Sequence, residues 1–226
     1  MIEIVSATRL SENDFWERAA LGVSLRRLAQ DARLAARVAH SNQSGLPEIF
    51  NARILAPDSA ELLVFMHDDV WIDDYFLVDR VIEGLRTYDV LGVAGNRRRV
   101  NGQPSWAFVD ARLTWDDKAN LSGGIAHGTL PFGEVALFGA APTDCELLDG
   151  VFLAARKSAL VANRVLFDPR FDFHFYDLDF CRSARQRGLR LGTWPICLTH
   201  QSNGSRTFGT ENWAAKYRAY LEKWSG

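Results

Sequence analysis

The chain of 226 residues carries 26 Lys and Arg against 28 Asp and Glu, a formal charge of −2 and a pI near 6.2. So even a balance excludes the strong basic field of a nucleic-acid binder, and 47% hydrophobic with 24% charged residues is the make-up of a globular chain able to bury a sizeable core. No stretch approaches the roughly 20 apolar residues that span a bilayer, and MIEIVSATRL lacks both the basic flank and the long apolar run of a signal peptide.

Cys145, Cys181 and Cys197 have no paired or metal-ligand spacing, which predicts reduced thiols. Together these features predict a cytoplasmic protein that meets a membrane only peripherally, at its inner face. Basic clusters at Arg97, Arg98 and Arg99 and from Arg182 to Arg190 fit either a bound anion or a solvated face.

In chain order, residues 2–7 form a β-branched run that predicts a first strand, and residues 8–13 a polar loop. Residues 15–39, rich in Ala, Leu and Arg, predict helix, broken near Gly22 or Asp31. SNQSGLP is turn chemistry and residues 48–56 predict a helix. Leu62, Leu63, Val64, Phe65 and Met66 form an apolar run with no polar face, as in a strand covered on both sides. A helix follows over residues 73–86, capped by Asp73 or Asp74, and residues 90–94 predict another buried strand.

Residues 96–142 lose regularity. Gly, Pro and Asn are interleaved there with Trp106, Phe108, Trp115, Phe132 and Phe138, which predicts a binding loop or lid. Regular structure resumes over residues 149–155, with helices predicted over residues 157–163 and 178–187, the latter closed by Gly188. Short strands over residues 189–194 and 196–199 and an amphipathic helix over residues 213–224 complete the chain. No repeat or linker interrupts it, so residues 1–226 are expected to form one domain.

Candidate chemistry gathers at element ends. The apolar strand stops in His67, Asp68 and Asp69, and in open α/β sheets ligands collect at such carboxyl ends. Asp69 suits a hard divalent cation and Asp68 suits ribose hydroxyls; a plain polar turn is the alternative. Asp177 and Asp179 fall in a helix first turn, where capping explains a carboxylate. Asp177, flanked by Phe175 and Tyr176, is also expected to have the raised pKa of a general base. His200 ends a strand before SNGS and suits a metal or phosphate, or a structural role. Asp149 before Gly150 would hold sugar hydroxyls where backbone approaches closely, or form a simple turn. Phosphate-loop, dinucleotide and nucleophile-elbow motifs are absent.

These segments in this order resemble the nucleotide-sugar glycosyltransferases of GT-A fold, closest to the family 2-like group. FMHDDVWID resembles the DxD motif, with His67 at its first position. SNQSGLPEIFNARI resembles the block preceding it, with Asn51 at the family's Asn. LDGVFLAARKSAL resembles the donor-sugar segment. FYDLDFCRSARQRGLRLG resembles the Glu-Asp-x-Asp stretch, with Tyr176 in place of Glu and Asp177 on the base. LTHQSNGS resembles the late His segment, which puts His200 on the metal. ATRLSEN and AHSNQSG stand where the family has a Pro-containing turn and an acidic base-binding segment.

The resemblance implies an α/β GT-A fold with a mixed, mostly parallel sheet flanked by helices. Residues 1–95 would bind the nucleotide and residues 96–226 the acceptor. It also implies Mn2+ or Mg2+ on Asp69, His200 and His67, and a nucleotide-diphosphate sugar met by Thr8, Asn42, Asn51, Asp68, Asp149 and Gly150. Asp177 would deprotonate a saccharide, lipid-linked or small-molecule acceptor in an inverting transfer. Bacterial polysaccharide biosynthesis is the implied setting. Arg206 and Lys216 would assist the leaving group or lie on the surface; Trp106 and Trp115 would stack on sugar or fill the core. The competing readings are a catalytically silent GT-A-like binding domain, which His67 favours, and a nucleotidyltransferase, which the missing Gly-rich loop disfavours. Donor base, sugar, acceptor and oligomeric state stay open.

Overall fold

The structure, a computed structural model, describes residues 1–201 and 208–225. Its strands are β1 (Ile2–Ala7), β2 (Leu34–Ala39), β3 (Leu62–Met66), β4 (Val70–Ile72), β5 (Val90–Gly92), β6 (Ala94–Asn96), β7 (Leu121–His127), β8 (Glu134–Gly139), β9 (Thr143–Asp144), β10 (Leu147–Leu148), β11 (Phe152–Arg156), β12 (Leu191–Thr193) and β13 (Leu198–His200). The helices are α1 (Glu12–Arg18), α2 (Ala20–Arg27), α3 (Leu46–Leu55), α4 (Leu77–Thr87), α5 (Lys157–Ala162), α6 (Tyr176–Gln186) and α7 (Glu211–Trp224).

A seven-stranded sheet runs in the order β2-β1-β3-β11-β5-β12-β9. Strands β2, β1, β3, β5 and β12 share one direction, whereas β11 and β9 oppose it, so the sheet is mixed and mostly parallel. Its interior strands are buried on both faces because the side chains alternate. On β3, Leu63 and Phe65 enter one core with Phe50, Phe167 and Phe180. Leu62, Val64 and Met66 enter the other with Phe15, Val81 and Phe152. The second sheet, β10-β6-β7-β13-β4 with β8 on β7, lies at the carboxyl ends of β3 and β5.

Several elements differ from the sequence expectation. The Ala- and Arg-rich run over residues 34–39 is a strand, because parallel pairing with β1 outweighs its helical propensity. The preceding helical stretch breaks at Ala19 rather than Gly22, and again after Arg27 in the turns around Asp31, as the other expected break required; a Cβ on Gly22 would lie 2.1 Å from the Phe15 carbonyl oxygen, so glycine lets α2 meet α1. Neither Asp73 nor Asp74 caps α4, which starts at Leu77. Asp74 accepts from the Phe76 N–H at 2.9 Å and pairs with Arg80, while Asp73 accepts from the Thr199 hydroxyl at 2.5 Å. Residues 90–94 divide between the two sheets as β5 and β6. Part of the segment expected to be irregular is the β7–β8 hairpin, bulged at Gly123 with φ of 81°. The basic clusters are partly consumed internally: Arg98 by Asp116, Arg185 by Asp144, Arg190 by Asp89, and Arg182 by the Trp224 ring at 4.3 Å. Cys145 and Cys181 are buried and Cys197 is exposed, all three as free thiols. Among the described residues no helix is long and apolar enough to cross a membrane.

Candidate active site

The site forms where four chain segments end together. His67, Asp68 and Asp69 leave the carboxyl end of β3, and Thr8 leaves the neighbouring β1. Antiparallel pairing of β11 with β3 brings the Asp149–Gly150 turn alongside, and the His67 N–H donates to the Val151 carbonyl at 3.4 Å. Strand β13 pairs with β4, which sets His200 opposite Val70, and the Gln201 N–H donates to the Asp69 carbonyl at 2.9 Å. Helix α6 then delivers Tyr176 and Asp177 in its first turn. Its N-cap residue, Phe175, has φ of 67°, a left-handed conformation that costs energy for a bulky residue. Stacking of Phe175 with Tyr217 and Tyr220 of α7, at 5.5 and 5.3 Å between centroids, holds that conformation.

His67, Asp69 and His200 each present one ligand atom, all within 4.8 Å of one another. Asp69 Oδ1 lies 3.3 Å from His200 Nε2 and 4.0 Å from His67 Nδ1. That oxygen is buried and makes no aligned hydrogen bond, although buried carboxylate oxygens are ordinarily satisfied. Two imidazole nitrogens and an unsatisfied carboxylate oxygen fit a divalent transition metal such as Mn2+. Burial would raise the Asp69 pKa, but the His200 and His67 imidazoles outweigh it and hold the carboxyl below its usual range. His200 is shifted upward because Asp69 overcomes its burial, whereas burial dominates at His67 and lowers it. Asp68 stands outside this trio. Burial raises its pKa against the opposing hydrogen bond from Thr8.

Asp177 accepts the Gly150 N–H on Oδ2 at 3.0 Å and the Leu178 N–H on Oδ1 at 2.9 Å. Its side chain keeps a partial opening to solvent but is densely surrounded by protein. Burial, reinforced by Asp149, pushes the carboxyl up to about 7. Gly150 is a structural necessity here: a Cβ would stand 2.4 Å from the Tyr176 hydroxyl oxygen and 2.8 Å from Asp177 Cβ. Asp149 is pinned by the Trp106 indole N–H at 2.7 Å and the Val151 N–H at 2.9 Å.

The structure thus brings together Thr8, His67, Asp68, Asp69, Asp149, Gly150, Asp177 and His200. One expected nucleotide contact is spent elsewhere, while the other stays beside Thr8, whose carbonyl accepts from the Asn42 N–H at 2.8 Å. Asn51 exchanges both amide hydrogen bonds with the Phe167 backbone, at 2.7 and 2.9 Å, and Asn42 closes a local turn on Ser44. Asp179, wholly buried, is tied to Lys223 at 2.6 Å and to the Trp224 indole, which makes it an anchor for α7. Lys216 pairs with Asp172 at 3.1 Å and donates to the Arg170 carbonyl. Arg206 and the SNGS part of the His200 loop lie outside the described residues. Trp106 is core, whereas Trp115 is 55% exposed and stacks on Phe138. Sequence reasoning missed Trp106 as the partner of Asp149, because 43 positions of chain separate them. It also missed the Tyr176 hydroxyl. An apolar cavity of about 710 Å³ behind β7 and β8 is lined by none of the clustered residues.

No family model and no curated protein matches the chain. Among solved structures, the catalytic domain of Drosophila β1,4-galactosyltransferase 7 in complex with xylobiose aligns with a TM-score of 0.54 at 10% identity, over 96% of this chain and 79% of that one. A mannosyltransferase from Pyrobaculum calidifontis in complex with GDP-Man and Mn2+ aligns with a TM-score of 0.47 at 12% identity, over 92% and 58% of the two chains. S. aureus TarS aligns with a TM-score of 0.47 at 12% identity, over 88% and 60%. At 10% identity the first alignment speaks to architecture alone. This chain has the GT-A glycosyltransferase fold.

Proposed function

We propose that the chain is a metal-dependent glycosyltransferase that moves a sugar from a nucleotide-diphosphate donor to an acceptor hydroxyl with inversion. One observation carries this reading. A two-imidazole, one-carboxylate cluster lies beside a densely surrounded carboxyl raised to about 7, and hydrogen bonds from His67 through Tyr176 and Gly150 to Asp177 link the two. His67, Asp69 and His200 would hold the metal, and two imidazoles favour Mn2+ over Mg2+. When bound, the metal supplies positive charge against the diphosphate leaving group.

Residues 1–95 contribute the nucleotide side, with Asp68 and Thr8 placed for ribose hydroxyls. Residues 96–226 contribute the acceptor side. There Asp149 faces the donor sugar, and the aromatic row Trp106, Phe138 and Trp115 leads outward to the exposed Trp115 face, which suits a saccharide acceptor. Asp177 takes the acceptor hydroxyl proton as that oxygen bonds to the anomeric carbon. The bond from that carbon to the diphosphate breaks with its electron pair passing to the phosphate oxygen. A carboxyl near 7 is matched to this task, being ionised at working pH yet basic enough to accept the proton.

The test is thermal melting against nucleoside diphosphates and nucleotide sugars, each with and without Mn2+. A ligand at 100 times its Kd stabilises the native state by about 2.7 kcal/mol, roughly 5–10 °C for a chain of this size. A Mn2+-dependent shift with one nucleotide, lost in Asp69→Asn, is the expected result. Release of nucleoside diphosphate rather than pyrophosphate on turnover separates transfer from nucleotidyl transfer. No shift with any nucleotide overturns the reading.

A further inference from the structure

The Tyr176 hydroxyl lies between two groups that the proposed mechanism treats separately. Its oxygen is 2.8 Å from His67 Nε2 and 2.7 Å from the Gly150 carbonyl oxygen. A tyrosine has one proton to give, and a carbonyl can only accept. If the hydroxyl donated to His67, its lone pairs would face those of the Gly150 carbonyl in a buried place, leaving that acceptor unsatisfied. Both contacts are satisfied only when Tyr176 donates to Gly150 and accepts from His67. Nε2 of His67 then carries the imidazole proton. The ring's other nitrogen, Nδ1, keeps its lone pair, and it is Nδ1 that lies on the side of Asp69.

We propose that Tyr176 is a positioning residue of the metal centre, fixing the tautomer and ring orientation in which His67 presents Nδ1 to the ion. The proposal rests on the reading of His67, Asp69 and His200 as ligands. Tyr176 is 2% exposed, and its ring is wedged against Phe50 and Phe167 at 6.0 Å each, so its oxygen has little freedom. Phe173 stacks on the His67 ring at 5.7 Å and 24°, which restrains its rotation. The absence of a Cβ at Gly150 gives the hydroxyl its space. His67 and Tyr176 also stand where the DxD and Glu-Asp-x-Asp motifs that the sequence resembles carry acidic residues, and here they are bonded to each other. A lone imidazole replacing a carboxylate would be free to offer either nitrogen; the tyrosine removes that freedom. The same Gly150 that accepts from Tyr176 donates its N–H to Asp177, so one residue sets both the metal ligand and the proposed base.

The experiment compares the wild-type chain with Tyr176→Phe. Long-range proton–nitrogen spectra of the metal-free, nitrogen-15-labelled protein read the His67 tautomer, with His67→Gln identifying the signal. Calorimetric titration with Mn2+ reads affinity. The wild type is expected to show the single tautomer protonated at Nε2. Tyr176→Phe is expected to mix tautomers and bind Mn2+ about 10–100-fold more weakly, with its far-ultraviolet circular dichroism unchanged. A wild-type His67 protonated at Nδ1, or a folded Tyr176→Phe that binds Mn2+ as tightly as wild type, overturns the proposal. A wild type with the expected tautomer but no Mn2+ binding overturns the metal reading beneath it, so the two failures are distinguishable. The wild-type spectrum keeps the proposal refutable even if Tyr176→Phe does not fold.

Discussion

Replacing Asp177 by Asn tests whether burial has made this carboxyl a base. Raising it from 3.8 to about 7 corresponds to at most about 4.5 kcal/mol, at roughly 1.4 kcal/mol per pH unit. The sign follows from proton binding. The folded state holds the proton more tightly than the unfolded chain, so the group contributes stability below about pH 4 and loses it as pH rises toward 7. Asn does not titrate, but it replaces one accepting oxygen with a donor, and a backbone N–H of Gly150 or Leu178 loses its partner. That loss costs about 1–3 kcal/mol at every pH. Asp177→Asn should therefore be the less stable protein at pH 4.5 and the more stable one at pH 8.

The assay is urea unfolding of both metal-free proteins at half-unit steps across that range. The stability difference should swing by several kcal/mol between the ends, and turnover should fall about 10²–10⁴-fold while nucleotide binding persists. For the wild type, kcat/KM should rise as pH crosses about 7, the value to which Asp177 is pushed. A stability difference that stays flat from pH 4.5 to 8 would refute the desolvation argument and remove the physical ground for Asp177 as base.

Two further changes probe the frame around the site. Gly150→Ala forces a methyl to 2.4 Å from the Tyr176 hydroxyl; it should cost about 1–3 kcal/mol by overpacking and weaken Mn2+ binding and turnover together, read by melting and titration. Asp179→Ala removes the buried partner of Lys223 and the Trp224 indole. It should lower stability by about 2–3 kcal/mol, read by urea unfolding.

Much of the frame is legible in the sequence because it rests on local patterns. The unbroken apolar run from Leu62 to Met66 demanded a strand covered on both faces, and β3 divides its side chains between two cores as that pattern requires. The polar residues after it had to sit at a carboxyl edge. The raised pKa expected of Asp177 is found, but its causes are burial against the folded chain and the nearby Asp149, 28 positions earlier, rather than its sequence neighbours alone. Residues 34–39 misled for the complementary reason: Ala and Arg favour helix, and only the partner strand β1, 32 positions away in register, makes them a strand. The Gly-rich β7 carries no period-two signal, since its pairing is broken by a bulge.

Tertiary structure alone decided which polar groups meet. Asn51 lies in the segment that resembles the nucleotide block, yet both ends of its amide are committed to Phe167, 116 positions away. His67 by itself reads as a lost carboxylate. Only the fold brings Tyr176 to its Nε2 across 109 positions and His200 to Asp69. Residue type and neighbours set the chemistry each side chain can perform; hydrogen-bond partners distant in sequence set which atom is left free to perform it.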